Sequence, residues 1–172
     1  MTELITDHST ANAGMDRRTV IKAAAWTVPA IAIAVAAPRA AASTSDVGAY
    51  SLSGSCGAPG IQGPGFVLVA SATAPVPTGT TVLISGTGVS SIGVFSSTPS
   101  GMTTQTRLSG TATQFTLTAD LPAGTAISFR TTLSTSARWT LNALMTLPEG
   151  YTATGAKSDA VVTSSLTGCS TS

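Results

Sequence analysis

The second half of the chain alternates. Phe115, Leu117, Ala119 and Leu121 are interleaved with Gln114, Thr116, Thr118 and Asp120, so every second side chain is apolar. Successive side chains on a β-strand point to opposite faces, and this period of two marks a strand with one buried face. A helix needs a period of 3.6, and no window of the sequence supplies one. Ile127, Phe129 and Leu133 repeat the pattern around Ser128, Arg130 and Thr132. Trp139, Leu141, Ala143, Met145 and Leu147 repeat it again, with Leu144 alone breaking the polar side. Between these runs stand Leu121-Pro122-Ala123-Gly124 and Leu147-Pro148-Glu149-Gly150. Proline presets the second position of a turn and glycine suits the fourth. The spacing therefore predicts two hairpins, one closing Phe115–Leu121 on Ile127–Leu133, the other returning through Tyr151–Thr154.

Earlier strands are expected at Val47–Ser53, Phe66–Ala74, Val82–Gly86, Ile92–Ser96 and Thr103–Leu108, with a last one at Ala160–Leu166. Phe66-Val67-Leu68-Val69 and Val82-Leu83-Ile84 are apolar on both phases, which predicts central strands covered on both sides. About seven to nine short antiparallel strands, with turn signals every eight to twelve residues, indicate an all-β sandwich with Greek-key links. A solenoid would show a fixed repeat period, and none is present.

The first forty residues obey different rules. Asp16, Arg17, Arg18 and Lys22 form a charged segment, followed by a mildly apolar, alanine-rich stretch from Ala23 to Ala37. That stretch falls short of the ~20 residues a membrane-spanning helix needs. Pro38-Arg39-Ala40-Ala41-Ala42-Ser43 then offers small residues at −3 and −1, Ala40 and Ala42, for a cut after Ala42. Charged start, short apolar middle and small-residue exit make an export signal rather than part of a fold. The expected division is residues 1–42 as signal peptide and 43–172 as one β-sandwich domain. Met15 is an alternative start to Met1, because residues 1–14 add nothing the signal requires.

The segment Arg17-Arg18-Thr19-Val20-Ile21-Lys22 resembles twin-arginine signal peptides of exported bacterial proteins. Arg17, Arg18 and Lys22 match the pattern, and Ile21 stands for its leucine. Asp16 and Val20 depart from its hydroxyl residue and phenylalanine. The resemblance implies export of an already folded domain, with transient contacts to the twin-arginine machinery and a signal peptidase. It places the protein outside the cytoplasm, secreted or associated with the envelope. An ordinary secretory signal and an uncleaved anchor are the competing readings of the same leader.

Beyond residue 42, four cations (Arg107, Arg130, Arg138, Lys157) balance four anions (Asp46, Asp120, Glu149, Asp159). Nucleic-acid binding rests on neutralising phosphates, so a charge-balanced domain does not support it. Surface polarity has to come from serine, threonine and glycine. Cys56 and Cys169 lie near the two ends of this domain, and an even pair in an exported chain reads first as a disulfide. Free thiols or a redox pair are the alternatives. Neither cysteine sits in a C-x-x-C motif or beside a cation that would lower its pKa.

Catalytic patterns are lacking. His8, the sole histidine, precedes the cut, which leaves no Ser-His-Asp or Cys-His arrangement and no imidazole ligand for zinc. Gly86-Thr87-Gly88 links strands, without the following helix whose amides a phosphate loop requires. Asp120, Glu149 and Asp159 could share one end of a sandwich and hold calcium, yet no D-x-D-x-D-G loop is present. Neither a metal nor a cofactor is expected. Phe115, Phe129 and Trp139 fall on inward phases, whereas Tyr50 and Tyr151 are free to form a contact patch. Arg107, Arg130 and Arg138 are either gathered on one sheet face, where they would meet an acidic wall polymer, or scattered as solubilising charges.

The run from Phe115 through Leu121-Pro122-Ala123-Gly124 to Phe129, with Leu147-Pro148-Glu149-Gly150-Tyr151, resembles immunoglobulin-like repeat domains of bacterial surface proteins. It implies an adhesive or structural module without catalytic residues. Together with the export signal and the missing catalytic groups, this leads to the expectation of a secreted or envelope-associated module that acts on a cell-wall, glycan or protein ligand through a β-surface rich in serine and threonine. The alternative is a glycoside hydrolase of wall or extracellular polysaccharide. Two carboxylates about 5–10 Å apart in a cleft would be its mark. No membrane span is expected in the mature form.

Overall fold

The structure is a computed structural model that describes residues 44–58 and 60–172. The expected signal peptide, with Arg17, Arg18, Lys22, Ala40 and Ala42, lies outside the described residues. Twelve strands follow one another: β1 (Ser45–Asp46), β2 (Ser51–Ser55), β3 (Gly65–Val69), β4 (Thr81–Thr87), β5 (Phe95–Thr98) and β6 (Thr103–Arg107), then β7 (Ala112–Leu117), β8 (Ala126–Thr131), β9 (Trp139–Thr146), β10 (Tyr151–Thr152), β11 (Asp159–Ser165) and β12 (Gly168–Thr171). The described residues contain no helix.

Ten strands form two antiparallel sheets, ordered β12-β11-β9-β4-β7-β6 and β2-β3-β8-β5. The remaining two, β1 and β10, make a two-residue parallel pair. This is the expected all-β sandwich, with more strands than the seven to nine read from the turns. The additions are short: β12 turns back along β11, and β1 precedes the first expected strand, of which only Ser51–Ser53 is strand, as part of β2.

One continuous apolar core lies between the sheets. Leu52, Phe66, Leu68, Ile127 and Phe129 enter it from the smaller sheet, and Val82, Ile84, Phe115, Leu141 and Val162 from the larger. The alternation of burial along β7, β8, β9 and β11 is complete, which is the physical content of the period of two. Five buried hydroxyl residues do not break this core, because each donates to a carbonyl. Ser71 serves Ala74, Thr80 Pro77, Thr113 Thr106, Thr131 Ile92 and Ser164 Thr135. Buried polar groups are tolerated on that condition. Tyr50 also belongs to the core rather than to a contact patch, and burial pushes its phenol pKa up.

The two expected hairpins are not formed. β7 pairs with β4 and β6, whereas β8 pairs with β3 and β5, so Leu121-Pro122-Ala123-Gly124 carries the chain from one sheet to the other. A second arch, from β3 to β4, runs beside it. Val76 and Leu121 exchange both backbone hydrogen bonds at 2.9 Å, and Asp120 accepts the Thr78 amide at 2.7 Å. Period-two patterning cannot separate an arch from a hairpin, since both bury the same alternate residues. Phe115 and Phe129 do meet, at 4.7 Å between ring centroids, but across the core. After Gly150 the chain likewise fails to return along β9. β10 joins β1, and β11 becomes the antiparallel partner of β9.

Nor are β3 and β4 covered on both sides. Each is central in its sheet, yet Val67, Val69 and Leu83 face outward and are only partly shielded.

One side of the sandwich is stitched shut. Lys157 accepts from the Leu52 amide and donates to the Tyr50 carbonyl, and the Cys56–Cys169 disulfide ties the end of β2 to β12. Gly54 makes this closeness possible, because a Cβ there would meet the Val161 carbonyl oxygen at 2.7 Å. Asp46 fastens the start of the domain. The Thr154 hydroxyl donates to Oδ2 at 2.6 Å, and the Gly48 and Thr154 amides donate to Oδ1. These bonds, the Thr154 hydroxyl foremost, hold its carboxyl below the usual carboxylate range. On the opposite side β5 and β6 are the free edges.

Candidate binding surfaces

Two surfaces arise from this framework. The first is the outer face of the six-stranded sheet. Register places Thr104, Thr116, Thr81 and Thr146 in one cross-strand row. A second row reads Thr87, Thr140, Thr163 and Ser170. Between them Leu83 and Leu144 stand directly opposite, 37% and 50% exposed. Among the outward-facing strand residues, Asp159 carries the one charge. Threonine suits such a face twice over: its branched Cβ fits the pleat and its hydroxyl remains hydrated.

The second surface is a groove of about 720 Å3 on the outside of the four-stranded sheet, over β8. Its size is that of small-ligand sites. Arg130 lies within it, opposite Gly65 on one neighbouring strand and Ser96 on the other. The guanidinium Nε and Nη1 are enclosed and have no hydrogen-bond partner. Desolvation lowers the pKa of the group from its ordinary value. Among the described residues no aspartate or glutamate lines the groove, and Arg130 is the one charged side chain that does.

Both walls of the groove are held in place. One is a tongue between β2 and β3, in which Ala58 and Gln62 exchange backbone hydrogen bonds at 2.8 Å. Cys56 anchors its near end through the disulfide, and the Thr131 amide donates to Pro64 at its far end. Gly57 and Gly63 let the backbone pack this tightly, since a Cβ on either would run into a carbonyl oxygen, of Gln62 and Thr131 respectively. The other wall is the loop after β8. Trp139 Nε1 donates to the Ser134 carbonyl and the Ser164 hydroxyl to that of Thr135, each at 2.8 Å. Ile61 and Val94 project at the rim, 90% and 68% exposed.

The arginines do not share a face. Arg107 ends the edge strand β6 and donates to Ser91 and Ser109, Arg130 occupies the groove, and Arg138 precedes β9 beside a shallower depression of about 370 Å3. Asp120, Glu149 and Asp159 all fall at one end of the larger sheet, near Thr81 and Thr146. They do not gather there: among the described residues no group of three potential metal ligands comes together. Among the described residues no acid lines either depression.

The alternation had no means of revealing the groove, because Arg130 occupies an ordinary outward position. The traceable signal was the crowding of glycine and proline over residues 57–65, a segment too constrained to be a simple link.

No family model matches the chain, and no curated protein matches it.

Proposed function

We propose that this protein is an exported binding module of the cell surface or its surroundings, carried out by the twin-arginine route and acting without catalysis. The outer face of the six-stranded sheet carries the reading. It combines two hydroxyl rows, a central leucine pair and almost no charge. Such a face suits a flat, neutral partner such as wall glycan, through many weak hydrogen bonds and modest apolar contact. The disulfide fits the oxidising compartment that export would reach. Among the described residues no helix is long and apolar enough to cross a membrane. The alternative, a carboxylate-dependent glycoside hydrolase, would need a pair of acids in a cleft, and among the described residues no acid lines either depression.

The test is retention of the oxidised full chain on an insoluble cell-envelope fraction, compared with the double variant Thr104→Lys/Thr146→Lys. Both positions are exposed and stand at the two ends of one row, so the fold should be unaffected. The expected result is retention of the parent at 0.5 M salt and at least a tenfold loss in the variant. Equal retention of both proteins would remove the face from the account.

A further inference from the structure

We propose that the groove over β8 is a binding site for a peptide carboxylate flanked by small aliphatic side chains, with Arg130 as its anion-binding residue. The inference deepens the binding-module reading and rests on it.

Enclosing a guanidinium without partners is unfavourable: a buried donor left unpaired forfeits its hydration, and a charged one more so. Arg130 has two such nitrogens, and among the described residues no acid from either wall compensates the charge. A fold that needed a side chain here only for packing would do better with an apolar one. What the arrangement does supply is an unneutralised cation on the floor of a groove whose walls are already fixed. With Nε and Nη1 shut off from solvent, Nη2 is the nitrogen left to meet a carboxylate, which also gains from the charge of the whole guanidinium. Pre-set walls reduce the ordering a ligand must bring about, which favours binding.

The lining selects among carboxylates. Ser96, Thr98, Thr132 and Ser136 offer hydroxyls for backbone amides and carbonyls, and Ile61 and Val94 give aliphatic contact at the rim. The one aromatic residue of the lining, Phe95, is turned into the core, where it packs edge-on against Phe115. A uronic-acid sugar would therefore find no ring to stack on, whereas a short peptide with alanine- or valine-sized side chains finds what it needs.

The experiment is isothermal titration of the oxidised full chain with N-acetyl-Val-Ala-Ala as the free acid, with its C-terminal amide, and with trigalacturonate. The acid should bind at least tenfold tighter than the amide and tenfold tighter than trigalacturonate, and should weaken as salt rises. Arg130→Gln should lose at least tenfold for the acid, while Arg107→Gln and Arg138→Gln change it less than twofold. Ile61→Ser, whose side chain is 90% exposed at the rim, should lose severalfold and serves as the second variant. In the absence of ligand, Arg130→Gln should melt at or above the parent temperature. Equal binding of acid and amide, tighter binding of trigalacturonate, or full affinity in Arg130→Gln would overturn the assignment. If those results came with undiminished retention on the envelope fraction, the groove alone would fall. Loss of that retention in the parent chain would take the binding-module reading with it.

Discussion

Phe129→Ala lowers the melting temperature by about 10–18 °C. The ring is fully buried on β8 and meets Phe115 of the opposite sheet, tilted 45° to it, while Phe95, on the neighbouring strand β5, packs edge-on against the same Phe115 at 6.1 Å. Truncating a buried phenylalanine to alanine costs about 3–5 kcal/mol, from lost transfer free energy and from the cavity left behind. For a domain of this size each kcal/mol shifts the midpoint by roughly 3–4 °C. The aromatic contact is also the place where the two sheets are pressed together, so little relaxation is available to shrink the cavity. Leu144→Ser is the matching control. Its side chain is half exposed on the outer face, and the expected change is within about 1 kcal/mol. Thermal melts of the two variants side by side measure the difference between the faces of the sandwich. A Phe129→Ala protein melting within 3 °C of the parent would mean the ring is not between the sheets.

Cys56→Ser/Cys169→Ser is the second large effect. The bridge spans a sequence separation of 113 residues, for which the chain-entropy relation gives about 5 kcal/mol; native disulfides more often contribute about 2–4. The lower range already corresponds to a drop of about 6–16 °C. Both cysteines are partly buried against the core, so some packing is lost in addition. The same bond anchors the tongue that forms one wall of the groove. Removing it should therefore loosen residues 57–63 before the sheets themselves. Melts of the oxidised parent and the serine variant check the magnitude, and limited proteolysis checks the location, with first cleavage expected in the tongue. Cleavage first at the arches would assign the bridge to the sheet edge alone.

The sequence made legible what alternation encodes, which is the identity of the inward residues. Phe115, Leu117, Ile127, Phe129, Trp139, Leu141 and Met145 all enter the core as their phase requires. It did not make legible which strands pair. A strand's neighbours are fixed by long-range register, and the same Pro-x-Gly turn serves a hairpin or an arch. What decides for the arch is the bond pair between Val76 and Leu121 with the Thr78–Asp120 contact, made by residues more than forty positions apart. Apolar residues on both phases misled for a related reason. Val67, Val69, Leu83 and Leu144 suit a strand's pleat and are tolerated on a face that never meets a second layer. The cysteine pair was anticipated from its even count, taken together with the expected leader. The groove depends on how a glycine-rich tongue folds over an outward arginine, and no local pattern specifies that.

The arches matter for the proposed binding face as well as for topology. Because the chain crosses between sheets at residues 118–125, Thr116 lies beside Thr81 and completes the hydroxyl row; a β7–β8 hairpin would set it among β8 residues and break that row. Through-space proton contacts in a nuclear Overhauser spectrum of the oxidised protein test this most directly. The account predicts cross-strand backbone contacts between Val82 and Phe115 and between Phe66 and Phe129, with ring-to-ring contacts alone between Phe115 and Phe129. Sequential backbone contacts running between β7 and β8 would contradict it.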